Sequence, residues 1–159
     1  VLMGADRIVV ADVIDRRLEK ALQLGAWHVI NGREADTVDR SRALFGGDGA
    51  DIVFETAGNR VTAMQAFASV RRGGEVMIVG TIPGETPVDF LKINREVKVQ
   101  TVFRYANNFP MTIQAISSGR FDVLSMVTDE YTYEDVQKAF EESISRKAEI
   151  IKGVIKISD

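Results

Sequence analysis

Short β-branched runs alternate along the chain with amphipathic stretches of roughly ten residues, and glycines or polar turns mark the switches. Arg7 to Asp12, R-I-V-V-A-D, is a continuous apolar run of the kind that a parallel sheet buries on both faces. Asp15 to Leu24 places Leu18, Ala21 and Leu22 at helical spacing and stops at Gly25. A short strand at Trp27 to Ile30 follows, then a helix at Thr37 to Phe45 ended by the cluster Gly46, Gly47 and Gly49. Asp51 to Glu55 predicts a third strand, and Thr56-Ala57-Gly58 turns out of it. Val61 to Val70 is alanine-rich and helical, closed by Gly73-Gly74, and Glu75 to Gly80 is a fourth strand. Val97 to Phe103 predicts a fifth, with Val97, Val99, Thr101 and Phe103 on one face.

Beyond it, Phe109 to Ser118 predicts a helix with Pro110 in the first turn, where a missing N–H costs least. Thr132 to Ile144 gives the clearest helical pattern. Thr132 and Asp135 make a capping pair, and Tyr133, Val136, Phe140 and Ile144 form an apolar stripe expected to be buried. The acidic residues Asp129-Glu130 and Glu134-Asp135 read as the start of that helix. Ile150 to Ile157 alternates as a last strand. The expectation is an α/β fold, a doubly wound and mostly parallel sheet with helices on both faces.

Length and charge narrow the function classes. The 159 residues suffice for one ordinary domain, and 45% hydrophobic content excludes a disordered tail. With no Cys, a disulfide-stapled scaffold is excluded. Lys and Arg total 20 against 23 Asp and Glu, so no basic surface recommends a nucleic-acid partner. No apolar run approaches the roughly 20 residues that span a bilayer. The opening V-L-M-G-A-D-R lacks the pattern of a signal peptide, so a cytoplasmic protein is expected. One His and no Cys leave no zinc site of imidazoles or thiolates within the chain.

Ligands of such sheets bind at the carboxyl ends of the strands. Asp12 ends the first strand, where a carboxylate can accept both ribose hydroxyls of an adenosine or simply cap the turn that follows. Arg16 and Arg17 could lie over an adenine or a pyrophosphate, or be solvated helix arginines. Gly58, Gly80 and Gly84 close strands or turns, where glycine admits a ligand close to the backbone but is also the default turn residue. His28 has no nearby Asp, Ser or Cys at a useful spacing and reads as a surface or half-buried histidine. Asp51 and Glu55 flank a strand core and do not make a hydrolytic carboxylate pair. No G-x-S-x-G or P-loop motif occurs, and no G-x-G-x-x-G follows a first strand. V-L-M-G-A-D reads as the last turn of a helix leading into a strand, so the strand ending at Asp12 is expected to be the second of its fold.

Several segments resemble the medium-chain dehydrogenase/reductase superfamily, in particular its zinc-dependent sorbitol (polyol) dehydrogenases. G-A-D-R-I-V-V-A-D, R-R-L-E-K-A and L-G-A-W-H-V-I-N are similar to that family's second βαβ portion. D-I-V-F-E-T-A-G resembles the strand that usually ends E-C-T-G, and G-G-E-V-M-I-V-G the strand that faces the nicotinamide. V-F-R-Y-A-N-N-F-P, from Val102 to Pro110, looks like the polyol-dehydrogenase segment V-F-R-Y-x-N-x-W-P and is the most specific of these. The resemblance spans essentially the whole chain but only the second half of a family member. Ala57 stands where the family usually has Thr, which removes a hydroxyl near the cofactor, and Phe109 stands where it has Trp.

The resemblance implies a Rossmann sheet lacking its first strand and glycine-rich loop, with residues 1–104 binding NAD and residues 105–159 returning toward the family's catalytic lobe. Asp12 would bind the adenosine ribose, Arg17 would lie against the adenosine, and Thr56 and Gly58 would line the ribose side. Val79, Gly80, Val102 and Phe103 would surround the nicotinamide, and Arg104 would reach toward the substrate as the catalytic residue of this half. NAD is expected over NADP, because Asp12 would repel a 2′-phosphate. Zinc in the complete enzyme would have no ligands in this chain. The implied reaction is hydride transfer from a secondary alcohol or polyol to NAD, with this chain alone inactive and binding the cofactor poorly. Relatives pair the 97–103 strand across a two-fold axis, which implies a homodimer or homotetramer. A non-catalytic nucleotide-binding or assembly module, or a relative acting on threonine or aldehydes, remains the alternative, since fold alone does not fix activity. The missing first strand would fall between the strands ending at Asp12 and Glu55, and upstream residues, a partner chain or a rearranged strand is expected to fill the gap.

Overall fold

The computed structural model describes residues 4–93, 96–120 and 122–158. Most of the expected opening helical turn, residues 1–3, lies outside them. In chain order the elements are β1 (Val9–Asp12), α1 (Asp15–Gln23), β2 (His28–Asn31), α2 (Thr37–Leu44), β3 (Ala50–Glu55), α3 (Arg60–Ser69) and β4 (Val70–Ile78). They continue with α4 (Phe90–Ile93), β5 (Lys98–Thr101), α5 (Phe109–Ser117), β6 (Asp129–Thr132), α6 (Val136–Ser145) and β7 (Gly153–Lys156). The chain divides into two compact units, Val1–Asn31 with Asn108–Asp159, and Gly32–Asn107.

In the first unit β1 and β2 run parallel, with Val9 opposite His28 and Asp12 opposite Asn31. The connecting α1 buries Leu18. It ends at Gly25, whose φ of 98° lets Ala26 N–H return to the Ala21 carbonyl at 2.9 Å and Gly25 N–H to Leu22 at 3.0 Å. Later in this unit β6 and β7 form a second parallel pair, Asp129 opposite Gly153 and Thr132 opposite Lys156. Tyr131, 8% exposed, donates its hydroxyl to Glu142 Oε2 at 2.9 Å, tying β6 to α6. Arg146 gathers Asp129, Glu142 and Glu149 at 3.2, 2.8 and 2.9 Å. Its guanidinium, after the Tyr131 hydroxyl, holds the Glu142 carboxyl below the usual carboxylate range.

The second unit is built on a parallel three-stranded sheet in the order β3-β4-β5. Its core is Ala66, Val70 and Val76, with Val53, Phe67, Ile78 and Val97 packed against them. Val76 is fully buried, and a side chain of that size contributes about 1.5–3 kcal/mol. Side-chain caps start α2 and α3: Asp36 accepts from Asp39 N–H and Asn59 from Thr62 N–H.

Parallel sheets and intervening helices agree with the α/β expectation. Within the described residues β1 pairs with β2 alone and β3 with β4 alone. Several local expectations need correction. β1 is only half-buried rather than covered on both faces, and Ala11 is exposed; the strand has one hydrogen-bonded neighbour among the described residues. β4 begins at Val70, ahead of the Gly73-Gly74 pair expected to precede it. Ala50 faces Val70 and Ile52 already faces Glu75, so residues 71–74 bulge out of the ladder. The expected Thr132–Ile144 helix is three pieces: the end of β6, a 3-10 turn at Tyr133–Asp135, and α6. Asp129 and Glu130 lie in β6, because pairing with β7 outweighs their helix-start chemistry. The Thr132 hydroxyl meets the Asp135 carboxylate at 3.3 Å but caps no backbone N–H. Of the stripe expected to be buried, Val136 is half-buried, while Tyr133, Phe140 and Ile144 are 63%, 64% and 79% exposed. Periodicity identifies such a face without supplying what covers it.

Candidate functional site

The three strands of the second unit end level. Glu55 is opposite Ile78, and Ile78 is opposite Thr101. The segments that leave these ends carry Thr56 and Gly58, Val79 and Gly80, and Val102, Phe103 and Arg104, so seven of the residues singled out in the sequence share one end of one sheet. Val79 and Gly80 N–H both donate to the Glu55 carbonyl, at 2.8 and 2.9 Å, and Val102 N–H donates to the Ile78 carbonyl at 2.8 Å.

The glycines here have a more definite role than ligand approach alone. A Cβ on Gly80 would stand 2.4 Å from Gly58 N and 2.6 Å from Gly58 Cα, and one on Gly58 would stand 2.9 Å from the Thr81 carbonyl oxygen. The two strand-end turns therefore lie against each other, and the absence of side chains lets them. Gly58 also has a φ of 69°, which favours glycine. Gly84 has a φ of 74° but open space around it, so it serves its turn only.

Glu55, set aside in the sequence as a strand flank, is the organising side chain. It is 2% exposed. Its Oε1 accepts from Ala57 N–H at 3.0 Å, Gly58 N–H at 2.9 Å and the Thr62 hydroxyl at 2.6 Å. The signal for it was a carboxylate closing a buried strand just before a glycine turn, with a hydroxyl seven residues on. Ala57, whose side chain offers no hydroxyl, takes part through its backbone.

Around this end the surface is partly apolar and partly cationic. Val79 is 41% and Phe103 83% exposed, and the Arg104 guanidinium lies 5.1 Å from the Phe103 ring centroid. Arg104 and Asn107 both have a φ of 59°, uncommon for residues with side chains and least so for Asn. A surface cavity of about 440 Å³ on this unit is lined by Arg60, Glu85, Thr86 and Pro87, and none of the strand-end residues borders it. Strand-end geometry, rather than cavity size, marks the candidate site.

In the first unit, Asp12 Oδ1 accepts from Val13 N–H at 2.7 Å and Ile14 N–H at 3.0 Å, so it caps its turn as the plainer reading held. Oδ2 faces Arg17 at 3.7 Å and keeps lone pairs for a further donor. Capping and ribose binding are thus compatible on one carboxylate. Asn31, at the end of β2, donates to Asp15 Oδ1 at 2.7 Å. His28 is half-buried, with its ring 6.1 Å from that of Trp27, and Arg7 lies 5.5 Å from the Trp27 ring. Among the described residues no group of three or more His, Cys, Asp or Glu is placed to hold a metal ion, and no helix is long and apolar enough to cross a membrane.

Comparison with known proteins agrees with this architecture. Residues 1–118 match the family model described as zinc-binding dehydrogenase. An uncharacterised zinc-type alcohol dehydrogenase-like protein, YdjJ, of Escherichia coli is 62% identical over 99% of this chain and 45% of its own length. The sorbitol dehydrogenase of Bacillus subtilis is 39% identical over 96% of this chain and 44% of its own. A crystal structure from Escherichia coli, of an oxidoreductase/dehydrogenase of unknown specificity involved in membrane biogenesis, superposes with a TM-score of 0.96 at 62% identity, over 99% of this chain and 46% of that one. The chain thus spans less than half the length of these relatives.

Proposed function

Because the chain belongs to the zinc-binding dehydrogenase family, we propose that it is the cofactor-side portion of an oxidoreductase moving a hydride from a secondary alcohol or polyol to NAD. The observation that carries this reading is the level set of strand ends after Glu55, Ile78 and Thr101, which gathers the expected nicotinamide-side residues. When bound, NAD supplies the ring carbon that accepts the hydride. Asp12 takes the adenosine ribose hydroxyls, and its charge disfavours a 2′-phosphate; Arg17 lies against the adenosine. Thr56 and Gly58 line the ribose side of the nicotinamide, while Val79, Gly80, Val102 and Phe103 flank the ring and keep water from it. Arg104 orients the substrate oxygen. Residues 1–104 act as the NAD-binding domain, and residues 105–159 lead toward the substrate side.

Full-length protein supplied with zinc, NAD and a panel of polyols and simple secondary alcohols is expected to form NADH with at least one of them. Arg104→Ala should lower kcat/KM in that assay. An enzyme that forms no NADH from any secondary alcohol would overturn the reading.

Self-association through β5 belongs to the same proposal. All four β5 residues are exposed, and among the described residues the strand pairs with β4 alone. Val102 N–H points to β4, so by the two-residue alternation of a strand the N–H groups of Val99 and Thr101 point to the open edge. Val99→Pro removes an outward donor and should leave the β4 ladder intact. In the full-length protein this variant should sediment as a smaller species with an unchanged helical spectrum. An unchanged sedimentation coefficient places the interface elsewhere.

A further inference from the structure

The two oxygens of the Glu55 carboxylate are used unequally. Oε1 is saturated by three donors from Ala57, Gly58 and Thr62. Oε2 is buried and accepts no hydrogen bond among the described residues. It faces the neighbouring strand end, where a Cβ on Gly80 would stand 2.5 Å away. Buried polar atoms are rarely left unmatched, and an acceptor held away from water with all its lone pairs free is costly. If fixing the 56–58 turn were the whole role, the single carbonyl of a glutamine would supply Oε1 equally well.

Resting on the reading that these strand ends hold the nicotinamide cofactor, we propose that Glu55 is a positioning residue. Oε1 fixes the Thr56–Gly58 turn, and Oε2 receives one further N–H or O–H donor that arrives when the site is completed. The donor is either a group of the cofactor or a group of the full-length protein outside residues 1–159. Both sources present the same chemistry to Oε2.

Glu55→Gln tests this in the full-length protein, because it keeps one acceptor for the three donors and turns an amide N–H₂ toward the place of Oε2. Thr62→Val is the companion variant: it deletes one donor to Oε1, leaves Oε2 untouched, and measures what loosening the turn does by itself. Each protein is melted without cofactor and titrated with NADH and NADPH by fluorescence, and amide exchange at Gly58 reports on the turn. A cofactor donor predicts that Glu55→Gln melts like the wild type, keeps Gly58 protected, and loses about tenfold in affinity. A protein donor predicts a melting temperature lowered further than in Thr62→Val, with Gly58 still protected. A Gln variant no worse than Thr62→Val in both measurements overturns the Oε2 assignment. A wild type that binds neither NADH nor NADPH overturns the cofactor reading instead, and the melts still decide the role of Oε2.

Discussion

Replacing Asp12 with alanine in the full-length protein is expected to weaken NAD about ten- to a hundredfold and NADP much less. A hydrogen bond from a ribose hydroxyl to a carboxylate is worth about 1.5–3 kcal/mol, and about 1.4 kcal/mol is a factor of ten. For NADP the loss is offset, because the same substitution removes the charge that opposes the 2′-phosphate. Asp12 also accepts from Val13 and Ile14 N–H, so alanine loosens the turn as well. Asp12→Asn separates the two effects: its amide oxygen still caps the turn, while its N–H₂ replaces the oxygen left for the ribose. Isothermal titration with both cofactors gives the ratio. Equal losses for NAD and NADP in both variants would remove Asp12 from the ribose.

Gly80→Ala should be the most damaging small substitution at the candidate site. The added methyl would meet Gly58 N at 2.4 Å, Glu55 Oε2 at 2.5 Å and Gly58 Cα at 2.6 Å. Two of those atoms are backbone, so relief requires moving one strand-end turn away from the other, at a cost of about 1–3 kcal/mol or more. Gly84→Ala is the natural comparison, because Gly84 has positive φ but nothing within 4 Å of a Cβ; its cost is limited to the left-handed backbone, about 1–2 kcal/mol. Urea denaturation of both variants, with cofactor titration of each, should show the larger stability loss at Gly80 and an affinity loss only there. If Gly84→Ala proves the worse of the two, the turns do not lie against each other as described.

The alternation of strands and helices was legible because its signals are local. The β3 apolar run D-I-V-F-E ends at a glycine turn, and α1 stops at Gly25; each needs only its neighbours in sequence to be read. What escaped depends on distant partners. Asp129 and Glu130 carry the chemistry of a helix start, yet a strand more than twenty residues downstream pairs with them and wins. Phe140 and Ile144 lie on a correct helical face, but a pattern cannot say whether anything lies against it. Glu55 was passed over because a lone carboxylate suggests no chemistry, and its partners are mostly backbone amides that composition does not display. The likeness of Val102 to Pro110 to the polyol dehydrogenases named a family, while the use of each atom came only from geometry.

Arg104 holds a backbone conformation that glycine adopts freely and arginine adopts at a cost of about 1–2 kcal/mol. Its side chain, stacked on an exposed Phe103, returns little of that. Selection for heat resistance alone should therefore drift toward Arg104→Gly, and each such gain would discard the guanidinium proposed to orient the substrate. Arg104→Gly is expected to melt higher than the wild type and to show a lower kcat/KM, and thermal melts and steady-state assays of that one variant check both.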